Sequence, residues 1–432
     1  MSLSKQLESL VDELSNFAWN STPQKYYNVI NQIIELFKDG GKDEIVSEAE
    51  EYLKIWESTD LNIAVTGEAG AGKSLFINTM LGLSPGDVGA APIGVTETTQ
   101  KPDAYFPPNF PNVTFWDLPG IGTPGFPPET YLKQVNFHRY DFFIIICSKR
   151  FHSTDVQLAQ EIEAMGKKFY FVRSKVDEDL RNSKRANPRK YSKEKVLKEI
   201  KDDCKKNLEK HLEKQSNHQI FLIDCWDLEK FDFPSLLETL EEDLPTLKSL
   251  TFVLSLPNCS PEVIQKKKKA LKKQLWKQAL VSAFINAVPI PALTICCDTA
   301  YIVKTMLGFY KQFGLDDSSL TRLACWMKKS VEELKAVIQS PPAKDVGTNL
   351  LVKAFGSVVG GILSFAFRTK RLVASGVASG VLSFVATYYI LSKFLDEAAE
   401  DAERVLTIAQ EHAEAGAPSA ETHLKSQKIK VQ

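Results

Sequence analysis

Gly67, Gly72, Lys73 and Ser74 fall at the spacing G-x-x-x-x-G-K-S, with Glu68, Ala69, Gly70 and Ala71 between the two glycines. Small residues let successive backbone N–H groups turn toward one point, and a helix opening at Lys73 adds the partial positive charge of its N-terminus. Such a loop holds phosphate oxygens. Lys73 would bridge two phosphates of a chain, and the Ser74 hydroxyl would ligate Mg²⁺. Further on, TFWDLPG places Asp117 at the end of an apolar run, where a carboxylate can hold a metal-bound water. The Gly120 N–H is then placed to sense a terminal phosphate.

A second group of residues reads a base. The segment Ser174-Lys175-Val176-Asp177 follows the apolar run KKFYFVR. Asp177 can accept from the N1–H and exocyclic amine of guanine, which adenine does not present, while the Lys175 stem covers the ring. Asp224 and Cys225, after IFLI, fall where a last base-contacting loop is expected. Together these residues predict a site for GTP or GDP with Mg²⁺. Between the phosphate loop and Asp117 lies GVTETT: Thr96, Thr98 and Thr99 offer hydroxyls, Thr99 as a metal and phosphate ligand, and Glu97 is the one carboxylate among them. No glutamine follows 117–120; Ile121 and Gly122 stand where a Ras-type enzyme keeps its water-positioning side chain. Hydrolysis by Lys73, Gly120 and Glu97 is therefore expected to be slow in a single copy. Either Glu97 or a group from a facing subunit would orient the water.

The elements that must carry these residues are legible in the periodicity. Residues 1–58 show apolar positions at helical spacing, such as Leu3, Leu7, Leu10, Val11 and Leu14, and Gly40-Gly41 interrupts them. From Leu61 short apolar runs alternate with helical stretches, which predicts a mainly parallel α/β sheet over 59–248. Beyond Leu250 the strand signals stop and helical patterns return to about 412, leaving 413–432 with the composition of a disordered tail. The fold expected is an α/β P-loop, Ras-like GTPase domain at 59–248, inserted in a composite all-α domain built from 1–58 and 249–412.

These motifs, in order, resemble the immunity-related GTPases, the interferon-inducible dynamin-like family. The resemblance is carried by GEAGAGKS, GVTETT, PNVTFWDLPGIGTPGF, YLKQVNFHRYDFFIII, KKFYFVRSKVDEDL, FDFPSLLETLEEDLP and FGLDDSSL, spanning about 58–330. It implies a Ras-like domain on a helical one, nucleotide-dependent self-association through the GTP-binding domains, contact with related GTPases, and action at intracellular or vacuolar membranes in cell-autonomous immunity. Three positions depart from the family pattern: Ala69 for a usual Thr, Ile93 for a frequent Thr, and Asp224-Cys225 for a usual Ser-Asn.

Membrane contact has its own sequence signals. Residues 372–392 carry no charge over a length able to cross a bilayer, with Gly376 and Gly380 forming GxxxG. With 354–367 and the turn RTKR they form either a membrane-inserting hairpin or a buried helix pair. The run 278–297 is broken by Pro289 and Pro291 and reads as a kinked core helix. KKKKALKK at 266–273 is either a lipid-facing basic patch or a solvated helix face.

Bulk properties narrow the rest. With 53 basic and 54 acidic residues the formal charge is -1, so the whole chain offers no field for nucleic acid. The seven cysteines, including the neighbours Cys296 and Cys297, form no CxxC spacing, which fits reduced thiols in the cytoplasm. The N-terminal residues lack a signal-peptide pattern, and Ser2 excludes myristoylation.

Overall fold

The computed structural model describes residues 2–16, 23–37, 41–94, 99–121, 125–127, 130–149, 153–209, 219–226, 230–284, 288–289, 296–327, 329–340 and 376–415. The chain divides into two compact units, one of residues 58–263 and one of 1–57 with 264–432.

In the 58–263 unit the apolar runs become strands. They are β1 (Leu61–Gly67), β2 (Asp103–Tyr105), β3 (Val113–Asp117), β4 (Phe142–Cys147), β5 (Lys168–Arg173) and β6 (Ile220–Leu222), in the sheet order β2-β3-β1-β4-β5-β6. All neighbours pair in parallel except β2, which runs antiparallel to β3 with Asp103 opposite Asp117. Each central strand is apolar on both sides because helices cover both faces. Ile63 and Val65 of β1, Phe115 of β3 and Ile144 and Ile146 of β4 enter one core with Phe76, Phe233, Leu236 and Phe252. Ala64, Phe143, Ile145 and Phe171 point the other way, into a core closed by Tyr131, Leu158, Ala159 and Ile162.

The helices of this unit are α4 (Lys73–Leu81), α5 (Tyr131–Gln134), α6 (Ser153–Ala164), α7 (Val176–Ala186), α8 (Lys193–Glu209), α9 (Phe233–Asp243) and α10 (Thr246–Ser255), in an order set after three helices that precede β1. Charged groups fasten α9 and α10 to the sheet. Asp243 accepts from Lys168 Nζ at 2.6 Å and Tyr170 OH at 2.7 Å, and Lys248 Nζ reaches Asp141 Oδ1 at 2.5 Å. Phe252, Leu256 and Val263 then enter the sheet core, so this unit runs on to 263 rather than ending near 248.

The other unit is helical. It holds α1 (Leu3–Asn16), α2 (Pro23–Leu36), α3 (Gly41–Glu57), most of α11 (Pro261–Phe284), α12 (Thr299–Gln312), α13 (Asp317–Met327), α14 (Val331–Ala336) and α15 (Gly376–Ala415). Phe37 packs edge-on to Phe284 and near Phe384, with ring centroids 5.5 and 6.4 Å away. Among the described residues no helix is long and apolar enough to cross a membrane. Part of the uncharged 372–392 run lies in α15, where Val381, Phe384, Leu391, Ser383 and Thr387 are buried within the chain. Residues 354–367 and the turn RTKR lie outside the described residues, as do 416–432 of the expected tail. Val288-Pro289 and Cys296-Cys297 pair as short antiparallel strands, in place of the kinked helix that the proline-broken run predicts. Two prolines, each without an N–H to donate, disfavour continuing α11 there. The basic run of 266–273 is not a uniformly solvated face. Lys267 is buried and donates to the Gln312 carbonyl at 2.9 Å, and Lys268 pairs with Asp396 at 2.8 Å.

Candidate functional site

The site begins where β1 ends. Gly67 has φ +130°, and a Cβ there would stand 2.0 Å from the Ile146 carbonyl oxygen of the neighbouring strand. Only glycine can therefore leave β1 at this point. Gly70 follows with φ +75° and nothing within 4 Å of a built Cβ, so its demand is conformational, at the exposed crest of the loop. The Lys73 ammonium folds back inside the loop, donating to the carbonyls of Gly67 at 3.3 Å and Glu68 at 3.0 Å. The loop thus curls around a buried cation.

Ser74, on the first turn of α4, donates from Oγ to Asp117 Oδ2 at 2.6 Å. Thr99 Oγ1 donates to the same oxygen at 3.0 Å. Two hydroxyls from separate segments thus converge on one carboxylate oxygen, while the other, Asp117 Oδ1, is buried with no hydrogen-bond partner. Burial pushes the Asp117 carboxyl above its usual range, against the pull of Ser74, Lys73 and Thr99. A buried, half-satisfied carboxylate costs free energy unless a cation or water completes it. The donor set of two hydroxyls and one carboxylate fits Mg²⁺, which keeps several waters and takes its other ligands from phosphates. Ser74, Thr99 and Asp117 are the residues that could hold it.

Past Asp117, the Leu118 N–H donates to the Val65 carbonyl at 3.0 Å and carries the chain across the end of β1. The Pro119 carbonyl accepts from Tyr131 OH at 2.9 Å, and that hydroxyl also lies 2.7 Å from Thr66 Oγ1. Tyr131 is fully buried, so the turn leading to Gly120 is fixed from beneath by a phenol reaching up from α5. Ile121 is buried as well, an apolar side chain where a Ras-type glutamine would stand.

At the end of β5, Ser174 Oγ donates to the Ala71 carbonyl at 2.7 Å, tying this segment to the phosphate loop. Lys175 has φ 56° and precedes α7; its ammonium lies over the same loop, 3.0 Å from the Gly70 carbonyl. Asp177, in the first turn of α7, meets Arg181 at 2.8 Å and remains about a quarter exposed (23%). Asp224 Oδ1 accepts from the Trp226 N–H at 2.9 Å, and the Cys225 carbonyl accepts from Thr79 Oγ1 at 2.9 Å. Burial, with Asp224 beside it, pushes the Cys225 thiol up to about 12. The fold thus brings residues 67–74, Thr99, Asp117, Gly120, 174–177 and 224–225 to the carboxyl edge of one sheet, where ligands of open α/β sheets bind. Glu97, with Thr96 and Thr98, lies outside the described residues.

A family model described as Interferon-inducible GTPase (IIGP) matches residues 26–409. The chain belongs to the interferon-inducible GTPase family. Interferon-inducible GTPase 5 of Rattus norvegicus is 41% identical over 380 residues, covering 88% of this chain and 82% of its own. Interferon-gamma-inducible GTPase 10 of Mus musculus is 40% identical over 378 residues, covering 87% and 88%. Among solved structures the likeness is faint: Toc33 from Arabidopsis thaliana with Mg²⁺ and GMPPNP is 16% identical, with a TM-score of 0.30 over 45% of this chain and 82% of its own.

Several residues that shape the site in this interferon-inducible GTPase escape its motifs. Asn78 binds Ala91 twice, through Nδ2 to the carbonyl at 2.9 Å and Oδ1 to the N–H at 2.6 Å, and so anchors the loop that leads toward Thr99. Thr66, Tyr131 and Thr79 act in the same way on other loops. A polar residue in a mostly apolar element, Thr66 in LNIAVT or Asn78 in SLFINTML, is the available signal.

Proposed function

We propose that the chain binds Mg²⁺-GTP at this sheet edge and hydrolyses it to GDP and phosphate. The convergence of Ser74 and Thr99 on Asp117, beside an unpartnered buried oxygen, carries the reading. In it, the backbone N–H groups of 67–74 and the Lys73 ammonium hold the β- and γ-phosphates, and Gly120 senses the γ-phosphate. Mg²⁺ would supply charge neutralisation to those phosphates. Asp177 accepts from guanine, Lys175 covers the ring, and the segment of Asp224 and Cys225 closes the base pocket. In the hydrolysis, a water oxygen bonds to the γ-phosphorus and the bond to the bridging oxygen breaks. Its electron pair stays on GDP, and the water protons pass to phosphate and solvent.

In chain order the GTP-binding unit, 58–263, interrupts the helical one, which is built from 1–57 and the segment from 264 onward. Buried Ile121 supports slow turnover in a single copy, since it cannot orient a water. Glu97, or a group from a second copy meeting this one through the GTP-binding domain, supplies that orientation. Intrinsic rates of about 10⁻⁴ to 10⁻² per second would rise by roughly 10³ to 10⁵ with such a group. The names of the relatives, interferon-inducible GTPases, support a link to interferon; a cytoplasmic chain that is peripheral to intracellular or vacuolar membranes is part of the same proposal.

Specific GTPase activity measured against protein concentration, with light scattering for assembly, tests this. The rate per molecule should climb as scattering rises, and a flat line removes the stimulation by a second copy. Flotation with liposomes should bring the protein up in the presence of GTP; recovery only at the bottom of the gradient removes the membrane role. The same Ile121 favours a second reading, a nucleotide-gated scaffold in which turnover is incidental. Tight GTP binding with negligible turnover at every concentration would select it.

A further inference from the structure

Arg173 is the last residue of β5 and is buried, 6% exposed. A buried guanidinium at a strand end is costly unless it is paired and hydrogen-bonded. Its two terminal nitrogens reach two points on either side of the base-reading turn. Nη1 donates to the Ser174 carbonyl at 3.3 Å, and Nη2 donates to Asp179 Oδ2 at 2.5 Å. Between these points lie Lys175, held at φ 56° and ψ 32°, and Asp177. The left-handed conformation of Lys175 is one that residues with a Cβ rarely adopt. Backbone bonds hold the two flanks: Ser174 N–H to the Cys147 carbonyl at 2.8 Å, Ile223 N–H to the Arg173 carbonyl at 2.9 Å, and Asp179 N–H to the Lys175 carbonyl at 3.3 Å. The guanidinium is thus a side-chain strut that closes the turn from Ser174 to the first turn of α7.

We propose that the Arg173–Asp179 ion pair is a specificity-determining positioning device that sets the angle at which the Asp177 carboxylate meets the base. This rests on the reading of 174–177 as the guanine-binding segment. Arg173 and Asp179 need not touch the nucleotide. They fix where α7 starts, and Asp177 lies two residues before Asp179 on that same turn. The group most sensitive to a small rotation of α7 is the exocyclic amine of guanine, because a hydrogen bond weakens steeply as its angle closes. Phosphate contacts from 67–74 come from another element, joined to this one through Ser174 and Lys175 ahead of the turn into α7, so they are less sensitive to that rotation.

Equilibrium titration with GTP, inosine triphosphate and ATP tests the proposal, since inosine lacks only the exocyclic amine. The wild type should prefer GTP over inosine triphosphate and strongly over ATP. In Asp179→Asn the GTP-to-inosine ratio should fall by roughly fivefold or more, with ATP binding unchanged, as expected when a base-specific hydrogen bond is misaligned. Asp179→Glu, which restores a carboxylate, should recover much of that ratio. Arg173→Lys, which keeps the charge but loses the fork, should lower it too. Thermal unfolding of each variant separates lost fold from lost alignment, because a general loosening lowers all three affinities together. An unchanged ratio in both Asp179→Asn and Arg173→Lys overturns the positioning role. If instead the wild type fails to distinguish GTP from ATP, the base-reading segment itself is wrongly assigned.

Discussion

Ser74 Oγ lies 2.6 Å from Asp117 Oδ2, so the first turn of α4 and the end of β3 are joined through a single oxygen while Asp117 Oδ1 is left without a hydrogen bond. A buried carboxylate oxygen beside the phosphate loop is costly unless a cation or ordered water completes it. Replacing the carboxylate by an amide should relieve the cost of burial and remove the charge. Asp117→Asn is expected to unfold at the same temperature or higher, while Mg²⁺-dependent GTP binding weakens by about 10- to 100-fold. A Mg²⁺ titration at fixed nucleotide, beside a thermal melt, checks both halves.

The two loop glycines should separate packing from conformation. Gly67→Ala forces a methyl group to 2.0 Å from the Ile146 carbonyl and should abolish folding of the 58–263 unit. Gly70→Ala meets nothing within 4 Å, so its cost should be only the left-handed strain of about 1–2 kcal/mol. Soluble yield and melting temperature of the two variants test this contrast.

Tyr131→Phe keeps the ring and removes the hydroxyl shared by Thr66 and Pro119. With Thr66 Oγ1 buried, the expected destabilisation is about 1–3 kcal/mol. Because Pro119 precedes Gly120, the variant should also lower the affinity for a GTP analogue more than that for GDP. Equal losses for both nucleotides would confine Tyr131 to stability.

Much of this architecture is legible in the sequence, and each exception has its own physical cause. The apolar runs that become β1, β3, β4, β5 and β6 are readable because burial on both faces leaves them almost without charge. Strand β2 is not, since its three half-buried residues at the sheet edge carry too few positions to show a period. Tyr131 escapes because its meaning lies in partners 65 and 12 residues away, Thr66 and Pro119, which only the folded sheet brings together. The lysines of 266–269 look equivalent in sequence, yet helical rotation sends Lys267 inward and leaves Lys269 outside. Spacing alone names the residues of the phosphate loop, but the convergence of Ser74 and Thr99 on one oxygen of Asp117 needs the geometry.

Three buried thiols give a pH signature. Burial raises Cys147 well above its ordinary 9.0, Cys204 to about 11 and Cys225 to about 12. Folded values above the unfolded one mean that these thiols contribute stability fully below pH 9 and lose it as pH rises through the folded values. Stability should therefore decline between about pH 9 and 12. At pH 8 all three should resist iodoacetamide in the native protein, because the thiolate is the reactive form, and react once it is unfolded. Mass spectrometry of alkylated peptides reads this directly; fast native labelling of Cys225 would show that its loop is open.

Selection of guanine is assigned to Asp177, and one substitution addresses it. Asp177→Asn exchanges an acceptor for a donor, so the variant should lose GTP affinity and gain affinity for xanthosine triphosphate, whose base offers a carbonyl at that position. Titration of both nucleotides against wild type and variant should show the preference reversed. Unchanged GTP affinity in a folded Asp177→Asn protein would contradict the assignment of 174–177 as the base-reading segment.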